Sequence, residues 1–427
     1  MKPESRSIEK IFANTGLTAY YHVPASKSVL ARDIMLLARC GKDPGEIKSR
    51  YISTIISGNI PSDIETLLTA LTSEGVHDCG ESGTALRFLT VYFSSKKGPH
   101  IITGSKRLSE RPIKGLLEVL ERSGSRFRFI EKNYSLPFEV CNPQNADLSY
   151  PDTIDATQFP SSQYISALLL SGCDSRILLG ERIPSRPYLD LTIARMRAFG
   201  LNVEQDEHSI KAEKGKPTPL SLRNNGIGDW SSAWYLIAHL ILQPGLQEIT
   251  IANLTLSSGQ PDEALFHSLK ERFGLEAIPS EKGLVIKKKT VKTIESPRPI
   301  QIDLLDNPDQ FLTIGGIALG LGIPFKADGI EHLKEKESDR IVAYKTNARV
   351  MAGEDLIIKE SPHSIEVFGQ ASKRGKIQLC GFNDHRVVMS FATIGASPLS
   401  KGRYVITDPQ AVEKSFPGFW NELYGAR

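Results

Sequence analysis

The sequence lacks an excess of charge of either sign. Its 427 residues carry 52 Lys and Arg against 49 Asp and Glu, a formal net charge of +3. A nucleic-acid-binding stripe or a polybasic membrane patch needs a large basic surplus. We therefore expect neither nucleic acid nor membrane as a partner. Any anion-binding site must be built locally, by folding scattered basic residues together.

Cysteine is scarce, and long apolar segments are missing. The five cysteines are odd in number, lie tens of residues apart and form no CxxC pair. Free thiols in a reducing cytoplasm are the expected outcome. The most apolar stretch, residues 234–242, is too short to cross a membrane and contains His239. The first ten residues have no apolar core, so no secretory signal is expected.

Two kinds of helical segment alternate along the chain. One kind is amphipathic and ends at a glycine, as a half-buried covering helix does; it is predicted at 62–75, 109–124, 185–200, 258–274, 338–353 and 410–425. The other kind is apolar on nearly every side, which is typical of a helix inside a core; it is predicted at 26–38, 81–95, 161–173, 230–242, 309–320 and 385–396. Short β-rich runs lie between them at 100–103, 175–180, 246–251 and 403–407.

This alternation predicts an α/β fold with an internal repeat. Pairs of buried and covering helices recur about every 70 residues, and each pair with its strands would form one α/β unit. A chain of 427 residues suits two domains better than one core. We therefore predict two similar globular domains, each of three repeated α/β units with buried parallel helices.

The polar residues of the buried helices cluster where the helices start. They are Ser26-Lys27-Ser28, Ser82-Gly83-Thr84, Ser161-Ser162-Gln163, Asp309 and Asp384-His385-Arg386. Any one Ser or Thr there could simply be an N-cap. Several helix starts that also carry Lys or Arg indicate an anion site, because free N–H groups and the positive dipole end attract anions. Lys336 and Arg340, four residues apart with Glu337 between them, could form a further anion clamp.

A series of motifs resembles one enzyme family. SKSVLAR, GESGTALR, ERPIKGLLEVL, SSQYISALLL, SRPYLD, GDWSSA, PDQ, KEKESDR, NDHR and EKSFPGF occur in the order seen in the 5-enolpyruvylshikimate-3-phosphate synthases. The resemblance implies that family's fold, an inside-out barrel of repeated α/β units in two domains around a cleft. It implies a discontinuous domain of residues 1–24 and 229–427, with the acid and base residues and part of the phosphoenolpyruvate clamp. The domain of residues 25–228 would carry most contacts to shikimate 3-phosphate.

The reaction that the resemblance implies is transfer of the enolpyruvyl group of phosphoenolpyruvate to the 5-hydroxyl of shikimate 3-phosphate. The reaction passes through a tetrahedral intermediate and releases phosphate. It is a step on the route to chorismate and the aromatic amino acids. Asp309 would be the base and Glu337 the acid, with Lys27 and His385 in support. The resemblance implies no metal and no organic cofactor, and we expect a cytoplasmic monomer.

The binding residues carry over from the same motifs. Shikimate 3-phosphate would contact Lys27, Ser28, Arg32, Ser161, Ser162, Gln163, Ser185, Asp309 and Lys336, with Tyr188 packing nearby. Phosphoenolpyruvate would contact Lys27, Gly83, Arg111, Gln163, Arg340, Arg386 and Lys414.

Four positions depart from the family pattern: Glu81 for an asparagine, Phe88 for a proline, His332 for an asparagine and Ile227 for an acidic residue. A bare carboxylate aimed at a bound phosphate would be repelled. We therefore expect the Glu81 side chain to turn outward or to pair with an arginine.

Two alternatives stay open at this point. The sister enolpyruvyl transferase that acts on UDP-N-acetylglucosamine shares the fold but uses a cysteine on a mobile loop, and residues 104–115 contain none. A non-catalytic repeat protein that binds anionic partners would lack the combination of Asp309, Glu337 and His385 with the cationic clamp.

Overall fold

The structure is a computed structural model that describes residues 5–11, 17–52, 60–144, 148–157, 159–181, 183–218, 227–289 and 299–425. The longer helices are α1 (Lys27–Arg39), α2 (Ser62–Thr72), α3 (Gly83–Ser94), α4 (Lys114–Arg122), α5 (Ser162–Ser171), α6 (Arg186–Ala198), α7 (Trp230–Leu242), α8 (Pro261–Leu269), α9 (Phe311–Leu321), α10 (Arg340–Ala352), α11 (His385–Ala396) and α12 (Phe419–Gly425). Single helical turns also occur, among them Pro44–Glu46, Lys106–Ser109, Pro308–Gln310, Glu331–Glu335 and Pro409–Lys414.

The strands are short and fall between these helices. They are β1 (Ser5–Ile8), β2 (Leu17–Tyr21), β3 (Val76–Asp78), β4 (His100–Thr103), β5 (Phe127–Phe129), β6 (Phe138–Val140), β7 (Thr153–Asp155), β8 (Arg176–Leu178), β9 (Val203–Gln205), β10 (Ser209–Ala212), β11 (Leu246–Ile251), β12 (Leu275–Ser280), β13 (Gly283–Lys288), β14 (Ile300–Asp303), β15 (Phe325–Asp328), β16 (Ile357–Glu360), β17 (Ser364–Phe368), β18 (Lys376–Leu379) and β19 (Arg403–Thr407).

The chain divides into two compact units. The discontinuous unit comprises residues 1–25 and 226–427, and the continuous unit comprises residues 26–225. Within the discontinuous unit, Ala25 and Gly228 form an isolated antiparallel bridge, so the two chain segments leave and enter it side by side. The predicted domains were 1–24 with 229–427, and 25–228; Asn225 and Gly226 lie outside the described residues.

The same strand order recurs in both units. In the continuous unit the sheets read β3-β4-β6-β5 and β7-β8-β10-β9, and in the discontinuous unit they read β2-β11-β13-β12, β14-β15-β17-β16 and β18-β19-β1. In the four-stranded sheets the first two strands in chain order run parallel, as the βαβ connection through a buried helix requires, and in the three-stranded sheet β18 and β19 form the parallel pair. The remaining pairs are antiparallel. This recurrence confirms the predicted α/β repeat. The helix pair α1 and α2 has no sheet of this kind in the described part of the chain.

The apolar helices form the cores, as predicted. In α9 the residues from Phe311 to Gly320 are all buried. Its glycines permit close helix packing, since a Cβ on Gly316 would lie 2.4 Å from Ile394 Cδ1 of α11 and one on Gly320 would lie 2.6 Å from Leu242 Cδ2 of α7. Small residues therefore let three buried helices of the discontinuous unit approach one another without a gap.

Most predicted covering helices also end as expected. Gly75, Gly124, Gly200, Gly274 and Gly353 all have positive φ angles, the left-handed conformation that closes a helix or the turn after it. The prediction of one helix over 410–425 was wrong: a 3-10 segment ends at Lys414 and α12 begins only at Phe419. Pro417 lies in the gap, where it can neither donate a backbone hydrogen bond nor sit inside a helix without a clash.

Candidate active site

Three buried helices of the discontinuous unit bring their N-termini together. Ser231 at the start of α7 accepts hydrogen bonds at Oγ from Arg386 Nη1 of α11, at 2.7 Å, and from Gln310 Nε2 just before α9, at 3.3 Å. The predicted convergence of helix starts is therefore present in this unit. The positive dipole ends of these helices point to one place, which suits an anion, and Asp229 and Asp384 already cap α7 and α11 there.

Arg340 is the centre of this cluster. Its side chain is 1% exposed and donates Nη1 to Asp309 Oδ1 at 2.8 Å, Nη2 to Glu337 Oε2 at 2.8 Å and Nε to Asp384 Oδ2 at 3.1 Å. Asp384 is itself buried and caps α11, because its Oδ1 accepts from the Arg386 backbone N–H at 2.9 Å. One guanidinium thus binds three carboxylates, among them both predicted acid–base residues.

The predicted base and acid each bridge two cations. Asp309 Oδ2 accepts from Arg386 Nη2 at 2.9 Å while its other oxygen pairs with Arg340. Glu337 Oε1 lies 3.3 Å from Lys414 Nζ while its other oxygen pairs with Arg340. The structure therefore brings together five residues that the motifs had assigned to catalysis or to the phosphoenolpyruvate clamp.

The electrostatics follow from this pairing. Burial alone would raise the pKa of Asp309, but Arg386, Lys336 and Arg340 outweigh it and hold the pKa well below its usual range. Burial would lower the pKa of Arg340, and its three carboxylates raise the pKa instead. Asp309 is thus fully ionised, and its surrounding cations make it a weak base.

Two histidines border the cluster. His385 is 1% exposed, and its Nδ1 lies 3.7 Å from Asp384 Oδ1. His332, at one of the departures from the family pattern, has its pKa lowered to about 4 by burial and by Lys336. Its Nε2 is buried and has no hydrogen-bond partner among the residues that the structure describes. At neutral pH the His332 ring is therefore an uncharged neighbour of the cations.

In the continuous unit, Lys27 and Arg32 of α1 point in different directions. Lys27 Nζ forms an ion pair with Asp63 Oδ2 of α2 at 2.9 Å, and both side chains keep about a fifth of their surface exposed (20% and 18%). Arg32 is buried, and it donates to Thr192 Oγ1, Ser28 O and Tyr188 O. Lys27 is therefore accessible to a ligand, whereas Arg32 also ties α1 to α6.

Hydrogen bonds to backbone groups hold the serines of the SSQ motif in place. Ser161 caps α5 by accepting from the Gln163 N–H at 3.3 Å, and Ser162 Oγ donates to Ser185 O at 3.0 Å. Ser185 lies at the N-terminal boundary of α6 in a left-handed conformation, with φ of 60°, and its side chain makes no capping hydrogen bond. Gln163 Nε2 donates to Thr84 Oγ1 of α3 at 3.3 Å. The starts of α3, α5 and α6 therefore lie close together in this unit.

A second cationic position surrounds Gly83. A Cβ on Gly83 would lie 2.4 Å from Arg87 Nη1 and 2.6 Å from Arg111 Nη1, so glycine is what permits both guanidiniums to approach. Arg87 is buried and donates to Gly83 O and Pro112 O, which ties the start of α3 to the loop before α4. Arg111 forms no ion pair with any described residue, and Glu81 is exposed, as expected.

Arg87 was missed in the sequence analysis. Its signal was present, because an arginine four residues after Gly83 inside an otherwise apolar helix must be buried and must find partners. Asp262 was also missed: it lies at the start of α8, where acidic residues are common, and its burial cannot be read from the sequence alone.

Two further features are absent from the residues that the structure describes. No group of three or more His, Cys, Asp or Glu side chains there could hold a metal ion. No helix in the same residues is both long enough and apolar enough to cross a membrane. All five cysteines are free thiols, as the sequence predicted.

The comparisons with known proteins agree with one another. The family model described as EPSP synthase (3-phosphoshikimate 1-carboxyvinyltransferase) matches residues 53–423. The 3-phosphoshikimate 1-carboxyvinyltransferase of Bacteroides fragilis strain YCH46 is 30% identical over 426 residues, 96% of each chain. The enzyme of the same name from Methanoculleus marisnigri is 32% identical over 363 residues, 82% of this chain and 78% of its own.

Solved structures show the same fold. EPSP synthase from Acinetobacter baumannii superposes with a TM-score of 0.71 at 20% identity and covers 98% of this chain and 97% of its own. An enolpyruvyl transferase from Streptomyces tendae superposes with a TM-score of 0.65 at 15% identity, covering 98% and 96%. The predicted α/β class, with the two-domain enolpyruvyl transferase fold, is confirmed.

Proposed function

The chain belongs to the EPSP synthase family, and on that basis we propose that it transfers the enolpyruvyl group of phosphoenolpyruvate to shikimate 3-phosphate. The acceptor is the 5-hydroxyl, the second product is phosphate, and the step belongs to the shikimate pathway that leads to the aromatic amino acids. One observation in the structure supports this activity most directly. Asp309 and Glu337 are both held by Arg340, next to Arg386 and Lys414, so acid–base groups and an anion clamp share one cluster.

The discontinuous unit would carry the acid–base chemistry and part of the clamp for phosphoenolpyruvate. Arg340, Arg386 and Lys414 would bind its phosphate and carboxylate, since guanidinium forks match planar or tetrahedral anions. Each of these cations already has a carboxylate partner. Phosphoenolpyruvate oxygens would therefore replace the protein carboxylates as partners of these cations, rather than bind to cations that have no partner.

The continuous unit would bind most of shikimate 3-phosphate. Ser161, Ser162, Ser185 and Gln163, at the adjoining starts of α5 and α6, offer hydroxyl, amide and backbone N–H groups to a phosphate. Lys336 would bind the same phosphate. Ser28 and Arg32 would hold the shikimate carboxylate, and Tyr188 would pack against the ring.

Four residues of the continuous unit would also contact phosphoenolpyruvate. Arg111 and the N–H of Gly83 would bind the phosphate, and Gln163 would lie between the two substrates. Lys27 is accessible at the start of α1 and would reach both ligands. Arg87 would hold the loop that carries Arg111, through its hydrogen bond to Pro112 O.

The chemistry is an addition followed by an elimination. In the addition, the acceptor hydroxyl attacks C2 of phosphoenolpyruvate, Asp309 takes its proton, and Glu337 protonates the methylene carbon. In the elimination, a methyl proton returns to Glu337, the C–O bond to phosphate breaks, and the proton held by Asp309 leaves with phosphate. General acid–base assistance of this kind contributes about 10²–10⁴-fold, and alignment of the two reactants contributes more.

The pairing of Asp309 suggests how the base becomes active. In the empty unit, Arg386, Lys336 and Arg340 hold its pKa low, which makes it a poor proton acceptor. An anion bound to these cations would offset their field and raise the pKa of Asp309. The base would therefore gain strength only once phosphoenolpyruvate is in place, with His385 and Lys27 supporting the transfer.

Other expectations about the protein belong to the same proposal. The substrates are small molecules, and we propose a monomer that acts in the cytoplasm without nucleic acid, metal or organic cofactor. The near-balance of 52 basic and 49 acidic residues supports the exclusion of nucleic acid.

A phosphate-release assay tests the proposed function. The purified protein is incubated with phosphoenolpyruvate and shikimate 3-phosphate, and the enolpyruvyl product is identified by mass. Matched reactions contain no acceptor, or UDP-N-acetylglucosamine in place of shikimate 3-phosphate. Phosphate release that requires shikimate 3-phosphate is the expected result. Release with the nucleotide sugar alone would assign the protein to the sister activity, and no release with either acceptor would reject both.

A further inference from the structure

A buried carboxyl group, that of Asp262, lies near the cluster of Asp309, Glu337, Arg340, Arg386 and Lys414. The reaction described above gives it no role. Asp262 is in the first turn of α8 and is 2% exposed. Acidic side chains at helix starts are normally solvated. A carboxyl group withdrawn from water must have specific partners, and its ionisation then depends on them.

The contacts of Asp262 lead to the predicted phosphoenolpyruvate clamp. Its Oδ1 accepts a 2.8 Å hydrogen bond from Gln310 Nε2, and the same amide group donates to Ser231 Oγ at 3.3 Å. Ser231 Oγ in turn accepts from Arg386 Nη1 at 2.7 Å. Asp262 is therefore two hydrogen-bonded groups away from an arginine that pairs directly with Asp309.

The backbone holds Asp262 in this position. Trp234 Nε1 of α7 donates to the Asp262 carbonyl oxygen at 2.9 Å, from a side chain that is itself fully buried. The next residue, Glu263, turns the other way and accepts from the backbone N–H groups of Ser257 and Ser258. The two adjacent buried carboxyl groups thus contact different parts of the unit, and of the two only Asp262 faces the cluster.

The charged groups around Asp262 shift its pKa in opposite directions. Burial raises the pKa of Asp262 to about 7, and Arg386 of α11 and the Gln310 amide limit that rise. Asp309, beside α9, and Asp229, the cap of α7, repel the ionised carboxylate and act in the same direction as burial. A further negative charge at Arg386 would remove the main attraction and add a repulsion.

Gln310 can serve both protonation states of Asp262. Its side chain is fully buried, and its Oε1 has no hydrogen-bond partner among the described residues. The charged carboxylate accepts from the amide Nε2, as observed. A protonated Asp262 is a donor, and a half-turn of the amide group would present Oε1 to it as the acceptor. The unused acceptor is a second, independent sign that this place accommodates a proton.

We propose that Asp262 is a positioning residue for Arg386, and that it takes up a proton when a phosphate-bearing anion binds to that arginine. While the unit is empty, the Asp262 carboxylate helps to balance Arg386 through Gln310 and Ser231. The anion replaces it in that role, and the proton removes a surplus negative charge from the buried cluster. This proposal rests on the proposed function only in placing a substrate anion at Arg386.

Reciprocity of linkage gives a measurable consequence. If anion binding drives proton uptake, then raising the pH must weaken anion binding wherever Asp262 is ionised. Above neutrality the affinity for phosphate or phosphoenolpyruvate should fall by up to about tenfold per pH unit, with the contribution of the ligand's own ionisation added to it. The Asp262→Asn variant is neutral at every pH and lacks this contribution.

Calorimetry with inorganic phosphate as the probe tests the proposal directly. Phosphate is titrated at pH 7.5 into enzyme saturated with shikimate 3-phosphate, where no enolpyruvyl group is available and no reaction occurs. Parallel titrations in two buffers with different ionisation enthalpies give the number of protons bound. Wild type should take up about half a proton per site more than Asp262→Asn, and Glu263→Gln, which changes the neighbouring buried carboxyl group, should match wild type.

The outcomes separate this proposal from the proposed function. Equal proton uptake by wild type and Asp262→Asn would overturn it. Absence of any phosphate binding would overturn both proposals, and the expected difference without enolpyruvyl transfer would overturn the proposed function alone. If Asp262→Asn fails to fold, the wild-type pH profile decides instead. The KM for phosphoenolpyruvate should rise above pH 7 while kcat stays level, and a level KM would contradict the proposal.

Discussion

Arg340 and Asp309 are joined by a 2.8 Å ion pair, in which an almost fully buried guanidinium holds the predicted catalytic base. Taking two charges out of water is costly, and such a pair is stable only when its remaining hydrogen bonds are satisfied. Here Glu337 and Asp384 satisfy the rest of Arg340. The cations of this cluster are therefore paired within the protein, and a substrate anion must compete with the protein's own carboxylates.

The first prediction concerns Glu337, the expected proton donor. Glu337→Gln keeps the shape of the side chain and one of its two acceptor oxygens, which contact Arg340 and Lys414, but removes the ionisable proton. We expect kcat to fall by about 10²–10⁴-fold in the phosphate-release assay, with an unchanged circular dichroism spectrum. Glu366→Gln, which alters a partly exposed ion pair with Lys326, is the control and should retain wild-type kcat. A Glu337→Gln variant with wild-type kcat would remove Glu337 from the chemistry.

A second prediction concerns the space at Gly83. Gly83→Ala would place a methyl group within 2.4 Å of Arg87 Nη1 and 2.6 Å of Arg111 Nη1. Both guanidinium groups would have to move, which displaces the anion contacts and also disturbs the two hydrogen bonds of buried Arg87, so some stability should be lost as well. We expect the KM for phosphoenolpyruvate to rise about tenfold, equivalent to about 1.4 kcal/mol of binding. Gly115→Ala is the control, because its methyl group would meet Phe159 at an ordinary 3.6 Å. Equal KM values for the two variants would contradict the assignment of Gly83.

A third prediction concerns Glu81, where the family usually has asparagine. Glu81 is exposed, so its carboxylate can remain solvated without approaching a bound phosphate. Glu81→Asn should therefore preserve or improve the affinity for phosphoenolpyruvate, measured as KM at fixed shikimate 3-phosphate. Glu74→Gln, an exposed carboxylate change elsewhere in the same unit, gives the baseline. A tenfold loss of affinity in Glu81→Asn would show that the carboxylate itself takes part in binding.

The fourth prediction concerns stability in acid. Burial and the nearby Lys288 lower the pKa of His239, in α7, to about 4, whereas the unfolded chain binds this proton near pH 6.5. Below pH 6.5 the unfolded state binds more protons, so the stability of the discontinuous unit should fall with decreasing pH until about pH 4. Between pH 7.5 and 5, His239 alone should account for about 2 kcal/mol of the loss.

Urea unfolding followed by tryptophan fluorescence measures this effect, because Trp230, Trp234 and Trp420 all belong to the discontinuous unit. His239→Leu should lose about 2 kcal/mol less than wild type between the two pH values. Identical pH slopes in the two proteins would show that His239 does not titrate as described.

The sequence was sufficient to predict the repeat because its signals are local. Helices apolar all round must be buried, and α7 and α11 have the predicted bounds 230–242 and 385–396. The strand at 246–251 was predicted with its observed bounds too. The break at Pro417 was the exception: an amphipathic pattern continues across it, but the proline backbone cannot.

The sequence predicted only those site residues that lie in a recognisable motif and have a side chain suited to the reaction. Asp309, Glu337, Arg340, Arg386 and Lys414 were assigned from motifs, and the structure gathers them in one cluster. The pairing of Arg340 with three carboxylates was not foreseen, since its partners come from residues 309, 337 and 384, and spacing along the chain does not give distances in space. Asp262 was missed for the same reason, because the partner that matters, Gln310, is 48 positions away.

The insertion of the continuous unit between β2 and α7 has a consequence for synthesis on the ribosome. Residues 26–225 emerge without interruption, whereas β2 pairs with β11, more than 200 residues later, and β1 pairs with β19 near the other end of the chain. The continuous unit can therefore fold while translation is still under way. The backbone N–H and C=O groups of β1 and β2 remain unpaired until β19 and β11 have been synthesised. During that interval these segments are exposed and could be bound by a chaperone.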